Sequence, residues 1–106
     1  MLYQDRLMIK DMLKEGGKMN NVDKHKEICE TLNRIYEAKN KDYGNSFSKS
    51  FDEYGLTMSC IRLDDKLNRL KNLSKGKKVM VKDESIKDTL LDLANYAILT
   101  IMELEK

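Results

Sequence analysis

The 106-residue chain contains no proline, only five glycines, two cysteines and a single histidine. The lack of proline and the scarcity of glycine favour long uninterrupted helices over a turn-rich sandwich or barrel. No apolar run is long enough to span a bilayer, and the N-terminus lacks the apolar stretch and cleavage site of a secretory signal. A net charge of only +2 provides no general attraction to nucleic acid. We therefore expect a cytoplasmic helical protein that binds neither membranes nor nucleic acid strongly.

The two cysteines, Cys29 and Cys60, lie at helix-like positions among apolar neighbours. Cytosolic proteins keep such thiols reduced, so we expect both to be free and buried. Two cysteines alone cannot complete a zinc site, and His25 lies in a charged run where a solvated side chain is expected.

The spacing of apolar residues predicts an all-α domain built from three main helices. The predicted helices cover Asp23 to Asn40, Leu56 to Ser74, and about Asp83 or Ser85 to Glu105. Between the first two, residues 41–55 are expected to form a loop whose aromatic residues fold back on the helices. Residues 75–82 are expected to form a basic connector.

Two of the predicted helices differ in how much apolar surface they carry. The core stripe of the second helix is expected to comprise Leu56, Cys60, Leu63, Leu67 and Leu70. The third helix is apolar on almost every side from Leu90 to Met102, and three helices alone cannot cover such a surface. The sequence therefore predicts a homo-oligomer, at least a dimer.

The sequence predicts a short amphipathic extension over residues 1–18 ahead of a single domain, residues 19–106. A purine-rich ribosome-binding site, if it were translated, would encode the residues Lys14 to Lys18 at the end of this extension. Met19 would then be the natural start. An ordinary N-terminal helix stopped by Gly16 and Gly17 is the alternative. Both interpretations stay open.

The third helix carries a polar minority on one face. Glu84, Asp88, Asp92 and Asn95 fall within an arc of about 80° at 100° per residue. Because Asp92 lies in the apolar section, its carboxylate needs a partner. Evenly spaced carboxylates on one helix face suit Mg²⁺, which takes oxygen ligands.

An ion pair with the second helix is the other way to accommodate Asp92. The candidate cations there are Arg62, Lys66 and Arg69. On the first helix, Glu27 and Glu30 form an E-x-x-E pair, for which a solvated acidic face is the simpler interpretation. Lys39 and Lys41 precede Asp42, and these lysines serve either phosphate binding or solubility.

Four segments resemble the nucleotide modification associated domain 1 family. They read KDYGNSF at 41–47, FDEYGL at 51–56, RLDDKLNRL at 62–70 and KDESIKDTLLDLANYA at 82–97, and the last is the most specific. The resemblance covers roughly residues 27–105. This family is common in phages and phage-derived regions of bacterial genomes, and its members look like relatives of MazG-type all-α nucleoside triphosphate pyrophosphatases. The resemblance implies a MazG-like bundle completed by oligomerisation.

The wider MazG-type group holds Mg²⁺ between an E-x-x-E element and an E-x-x-D element. By position, the second element falls on Glu84, Asp88 and Asp92. The first falls near Arg62 and Asp65, with Asp64 as an alternative ligand, so an arginine stands where a glutamate is expected. Either the metal site has fewer acidic ligands, or Glu27 and Glu30 supply the missing ones.

The resemblance also implies roles in Mg²⁺-dependent hydrolysis of a nucleoside triphosphate. Glu84 or Asp65 would orient the attacking water. Arg62, Lys66 and Arg69 would stabilise the phosphates. The remaining candidates for substrate contact are Lys41, Asp42, Tyr43 and Asn95. The alternative is a module that binds a nucleotide without hydrolysing it, either to sequester a nucleotide signal or to support base modification.

Overall fold

The computed structural model describes residues 19–75 and 79–106, and these residues form helices with no strand among them. The helices are α1 (Asn21–Tyr43), α2 (Ser46–Tyr54), α3 (Leu56–Ser74) and α4 (Val79–Leu104). The all-α prediction is confirmed, with one more helix than the sequence pattern indicated. The predicted N-terminal extension, residues 1–18, lies outside the described residues.

The ends of α1 follow from two local hydrogen bonds. Asn20 Oδ1 accepts a bond from the backbone N–H of Asp23 at 2.8 Å, which caps the start of the helix. At the other end the N–H of Gly44 donates to the carbonyl of Asn40 at 2.8 Å, and Gly44 has a left-handed φ of 62°. The helix therefore runs one turn further than predicted, as far as Tyr43.

The prediction of a loop over residues 41–55 is wrong, because α2 occupies most of this segment. Gly44 and Gly55 act as helix ends, with Gly55 at φ 69° and its N–H bonded to the Phe51 carbonyl at 2.7 Å. Phe47 stacks on Tyr96 with ring centroids 6.0 Å apart, so the prediction of aromatic anchoring is confirmed for this ring. Tyr54, in contrast, is 64 % exposed.

Helices α3 and α4 pack mainly on each other. Along α3 the buried and half-buried positions are Met58, Ser59, Leu63, Lys66, Leu70 and Leu73, and from Ser59 onwards they recur at alternating intervals of four and three residues. On α4 the less exposed positions include Thr89, Asp92, Tyr96, Thr100 and Glu103, which follow one another at intervals of three or four residues, and residues 91–96 are all half-buried. This spacing is typical of the seam between two helices that pack with a small crossing angle.

The predicted core stripe of α3 is therefore partly wrong. Leu63 and Leu70 lie on the seam, whereas Leu56, Cys60 and Leu67 are exposed. Polar side chains take inward positions that the pattern assigned to apolar ones, because a small serine and the aliphatic stem of a lysine can both be accommodated there. Ser59 is fully buried, and its hydroxyl has no hydrogen-bond partner among the residues that the structure describes.

Both cysteines are free, as predicted, but the prediction that they are buried is wrong. Cys29 and Cys60 are exposed, and the Cys29 thiol lies 3.6 Å from Nδ1 of His25, one turn earlier on α1. His25 is exposed as expected. The apolar neighbours in sequence did not determine burial because adjacent residues of a helix point in different directions.

The chain divides into two units, one ending at Glu37 and the other running from Ala38 to Lys106. The second unit holds the last residues of α1 together with α2, α3 and α4. Helix α4 begins at Val79, earlier than predicted, so the expected connector is shorter than residues 75–82. Within the described part of the chain, no helix combines the length and apolar character needed to cross a membrane.

Candidate functional site

Three charged side chains from three helices meet in the second unit, and we name them the Asp92 cluster. The Nζ atom of Lys39, on α1, lies 3.2 Å from Oδ1 of Asp92, and the Nζ atom of Lys66, on α3, lies 3.2 Å from Oδ2. The side chains of Asp92 and Lys66 are each 28 % exposed, and that of Lys39 is 60 % exposed. The cluster is therefore accessible from solvent.

The helical seam brings these groups together. Lys66 and Asp92 both occupy inward positions, on α3 and α4 respectively, and the aliphatic stem of a lysine can pack while its ammonium reaches a polar partner. Lys66 was one of the three cations that the sequence offered to Asp92, so the ion pair is the arrangement found in the structure. The contribution of Lys39 was missed, because a contact between residues 53 positions apart leaves no trace in the local sequence pattern.

The Asp92 cluster holds two positive charges and one negative charge. Lysine ammonium groups bind carboxylate and phosphate oxygens alike as compact point charges. Since both lysines are reached by water, their contacts with Asp92 are of the kind that a competing anion can replace. The arrangement can therefore receive an anionic group carrying several oxygens.

The arginines and acids proposed on α3 lie on its exposed surface. Arg62 and Arg69 are within about 60° of Lys66 around the helix, so they flank it on one side. Asp65 lies on the same side, about 100° from Lys66. Asp64 lies about 160° away, where its Oδ2 atom is 3.5 Å from the side-chain amide of Asn68. The helix thus separates Asp64 from the Asp92 cluster and keeps the arginines near it.

The remaining predicted site residues are distributed over α1 and α4. Asp88 is exposed one turn before Asp92, and Asn95 is half-buried. Lys41 and Asp42 are exposed near the end of α1. The side chains of Tyr43 and Glu84 lie outside the described residues. In the first unit, Glu27 and Glu30 are exposed, and Glu27 lies 3.6 Å from Lys24.

The described carboxylates form no preassembled metal cage. In the parts of the chain that the structure describes, no three of its histidine, cysteine, aspartate and glutamate residues lie together as a metal site. Mg²⁺, however, is often held by only one or two carboxylates together with substrate phosphates and water. Asp88 and Asp92 lie one turn apart on α4, and both oxygens of Asp92 contact lysine ammonium groups.

These features define an all-helical domain with a solvent-accessible cluster suited to an anion. The sequence model of the nucleotide modification associated domain 1 family matches residues 39–104, which is more than half of the chain. The chain belongs to this family. The match begins at Lys39 and includes Lys66 and Asp92. No curated protein and no solved structure matches the chain.

Proposed function

We propose that this domain binds a nucleotide in the presence of Mg²⁺ and receives its phosphate groups at the Asp92 cluster. The observation that carries the proposal is the convergence of Lys39 and Lys66, from separate helices, on one carboxylate. That convergence lies within the region matched by a family whose name refers to nucleotide modification. Two accessible ammonium groups supply the charge that a phosphate chain requires.

Several side chains of this domain would contribute to binding. Lys39 and Lys66 donate hydrogen bonds to phosphate oxygens, and Arg62 and Arg69 lie beside Lys66 on α3 to extend the positive surface. Asp88 and Asp92 would hold Mg²⁺ with Glu84, and the ion would neutralise phosphate charge. Lys41, Asp42, Tyr43 and Asn95 are the candidates for contact with the rest of the nucleotide.

The expected relation of this family to MazG-type enzymes is the ground for proposing a pyrophosphatase reaction at this site. The oxygen of a water molecule would bond to the α-phosphorus as the bond from that phosphorus to the oxygen bridging to the β-phosphate breaks. The products would be a nucleoside monophosphate and pyrophosphate. Glu84 or Asp65 would accept the proton of the water as a general base.

Binding without hydrolysis is the second candidate function. It is favoured by the engagement of both Asp92 oxygens with lysines and by Arg62, which stands where the MazG-type pattern has a glutamate. A domain with fewer free carboxylates can retain a nucleotide while leaving the water unactivated. Such a domain would sequester a nucleotide signal or support base modification, in a phage or prophage setting.

A homo-oligomer in the cytoplasm is part of the proposal. Apolar side chains remain exposed along α4, among them Leu90, Ile98 and Ile101. These three lie within an arc of about 80° on the helix, so they form one continuous face rather than scattered residues. Burying this face against a second copy would remove it from water.

The test is to incubate the purified protein with ribonucleoside and deoxyribonucleoside triphosphates and Mg²⁺, and to measure both retained nucleotide and released pyrophosphate. We expect at least one nucleotide to be retained or hydrolysed by the wild type. Lys66→Met and Asp92→Asn should abolish the effect, whereas Lys71→Met, at an exposed lysine of the same helix, should not. A wild type that neither retains nor hydrolyses any nucleotide, or variants that all act as the wild type does, would contradict the proposal.

A further inference from the structure

The Asp92 cluster has a property that goes beyond nucleotide binding as such. We propose that Lys39 and Lys66 form a polyphosphate subsite that works without a metal ion, and that the Asp92 carboxylate occupies this subsite in the ligand-free protein. The inference deepens the proposed function and rests on it only for the identity of the nucleotide. It assigns a ligand class, a chain of two or three phosphoryl groups, and it adds Lys39 to the residues that bind it.

The charges and contacts of the cluster support this exchange. Each oxygen of Asp92 contacts one ammonium at 3.2 Å, so the carboxylate bridges the two lysines. An ammonium has three N–H donors, and one contact with Asp92 leaves two for other acceptors. Two lysines against one carboxylate leave an excess positive charge, which an incoming polyanion can neutralise.

Exchange is feasible because the existing contacts are not sealed from water. Lys39 is 60 % exposed and Lys66 is 28 % exposed, so both ammonium groups can be reached from solvent. Ion pairs between solvent-accessible groups hold their partners weakly. A phosphoryl group also presents oxygens at a spacing close to that of a carboxylate, which lets it replace Asp92 without a rearrangement of the helices.

The position of the two lysines favours a phosphate chain over a single phosphate. The ammonium groups contact different oxygens of Asp92 and belong to different helices. A phosphate chain carries more negative charge than a single phosphate, so it neutralises the excess positive charge more fully, and its phosphoryl groups can each contact one lysine. The expected order of affinity is therefore tripolyphosphate, then pyrophosphate, then phosphate.

The experiment is calorimetric titration of the full chain with inorganic tripolyphosphate in the presence of EDTA, at constant ionic strength. Lys39→Met and Lys66→Met should each weaken binding by about tenfold or more, because each removes a charged hydrogen-bond donor. Asp92→Asn should strengthen metal-free binding by about threefold to tenfold, because it removes the competing carboxylate. Thermal melting of each variant checks that it is folded.

Two matched substitutions serve as controls. Lys71→Met removes an exposed lysine from α3, and Asp52→Asn neutralises an exposed aspartate on α2, so neither should change the affinity for tripolyphosphate. Equal weakening by Lys71→Met would show that the chain binds polyanions only through its general charge, which overturns the inference. Weaker binding by Asp92→Asn would overturn it as well, since the carboxylate would then be supporting the ligand.

The inference and the proposed function can fail independently. If a nucleotide binds with Mg²⁺ but tripolyphosphate does not bind in EDTA, the metal-free subsite is rejected and the proposed function stands. If tripolyphosphate binds as expected but no nucleotide is retained with Mg²⁺, the subsite stands and the nucleotide assignment is rejected. The effect of Asp92→Asn separates them further, because it should strengthen metal-free binding and abolish Mg²⁺-dependent binding.

Discussion

The Nζ atom of Lys66 lies 3.2 Å from Oδ2 of Asp92, and this ion pair joins the inward positions of α3 and α4. Both side chains are 28 % exposed, so the pair lies at the edge of the seam rather than in a dry core. A charged pair among apolar and hydroxyl side chains restricts how two helices can slide past each other. The same two groups therefore help to fix the register of α3 against α4 and also remain available for ligand binding.

The first prediction concerns the strength of this pair. Lys66→Met and Asp92→Asn should each lower the free energy of unfolding by about 1 kcal/mol or less, because the group that remains can reach water. Their coupling in a double-mutant cycle should be about 0.5–1 kcal/mol. Urea unfolding of the wild type, the two single variants and the double variant measures both quantities.

A much larger effect would change the interpretation of the site. If Asp92→Asn alone cost about 3–5 kcal/mol, the lysines would behave as stranded buried charges. The carboxylate would then be fixed by the fold and poorly able to exchange with a ligand. Asp52→Asn is the control for the loss of one surface carboxylate.

The sequence predicted which acid on α4 needs a partner better than it predicted which side chains provide that partner. The periodic acids correctly marked Asp92 as a group that needs a cation or a metal ion, and Lys66 was among the cations considered. Lys39 was missed because its distance of 53 residues from Asp92 in the chain makes their contact a tertiary one. Helical periodicity describes one element at a time and gives no information on such contacts.

The segment that includes α2 shows a second limit of pattern reading. Residues 41–55 were interpreted as a loop, yet Gly44 and Gly55 in this segment each end a helix, with φ values of 62° and 69°. Glycine serves both purposes, since it adopts left-handed conformations at low cost in turns and at helix ends. Helix α2 has only nine residues, which are too few for hydrophobic periodicity alone to identify it as a helix.

The second prediction concerns these glycines. Gly55 has φ 69° and ψ −158°, a conformation that other residues rarely adopt, so Gly55→Ala should cost about 1–3 kcal/mol of stability. Gly44→Ala, at φ 62°, should cost about 1–2 kcal/mol. Adjacent backbone aside, no atom of the residues that the structure describes lies within 4 Å of a Cβ added at either position, so any loss reflects backbone strain rather than crowding.

Chemical denaturation of both variants checks this prediction. Gly44→Asn is a useful comparison, because asparagine tolerates the left-handed conformation better than alanine and should lose less stability. Unchanged stability of Gly55→Ala would mean that the junction between α2 and α3 can relax to an ordinary backbone conformation.

The third prediction concerns acid stability at the end of α4. Hydrogen bonding from Lys106 lowers the pKa of Glu103 below its usual value of 4.5, with a further contribution from the hydroxyl of Ser48 and an opposing effect of burial. Ser48 and Lys106 both contact the Glu103 carboxylate, at 3.0 and 2.7 Å. Since the lowered pKa belongs to the folded state, the ionised carboxylate stabilises the fold above about pH 4.5.

This contribution is lost as the pH falls through the folded-state pKa of Glu103. Glu103→Gln should therefore destabilise the protein at about pH 7, and its effect should shrink as the pH falls through the folded-state pKa and the wild-type carboxyl becomes protonated. Melting temperatures of both proteins across this range provide the comparison, and Glu53→Gln, at an exposed glutamate of α2, is the control. A difference that does not depend on pH would exclude the carboxylate as its source.

The last prediction concerns the apolar face of α4, where Leu90, Ile98 and Ile101 are 45 %, 42 % and 54 % exposed. Ile101 and Asp92 are nine residues apart, which places them about 180° apart around the helix. Association through this face would thus leave the Asp92 cluster accessible. We expect the wild type to be at least a dimer at micromolar concentration and Ile101→Lys to shift it towards the monomer, because burying a lysine at an apolar contact is unfavourable. Light scattering measures the mass of both proteins, and Ile61→Lys, at an exposed apolar residue of α3, should leave it unchanged. Tripolyphosphate binding should survive in Ile101→Lys, since each chain carries its own Lys39 and Lys66. A monomeric wild type would contradict the association, and loss of tripolyphosphate binding in a folded Ile101→Lys variant would mean that the second copy contributes to the site.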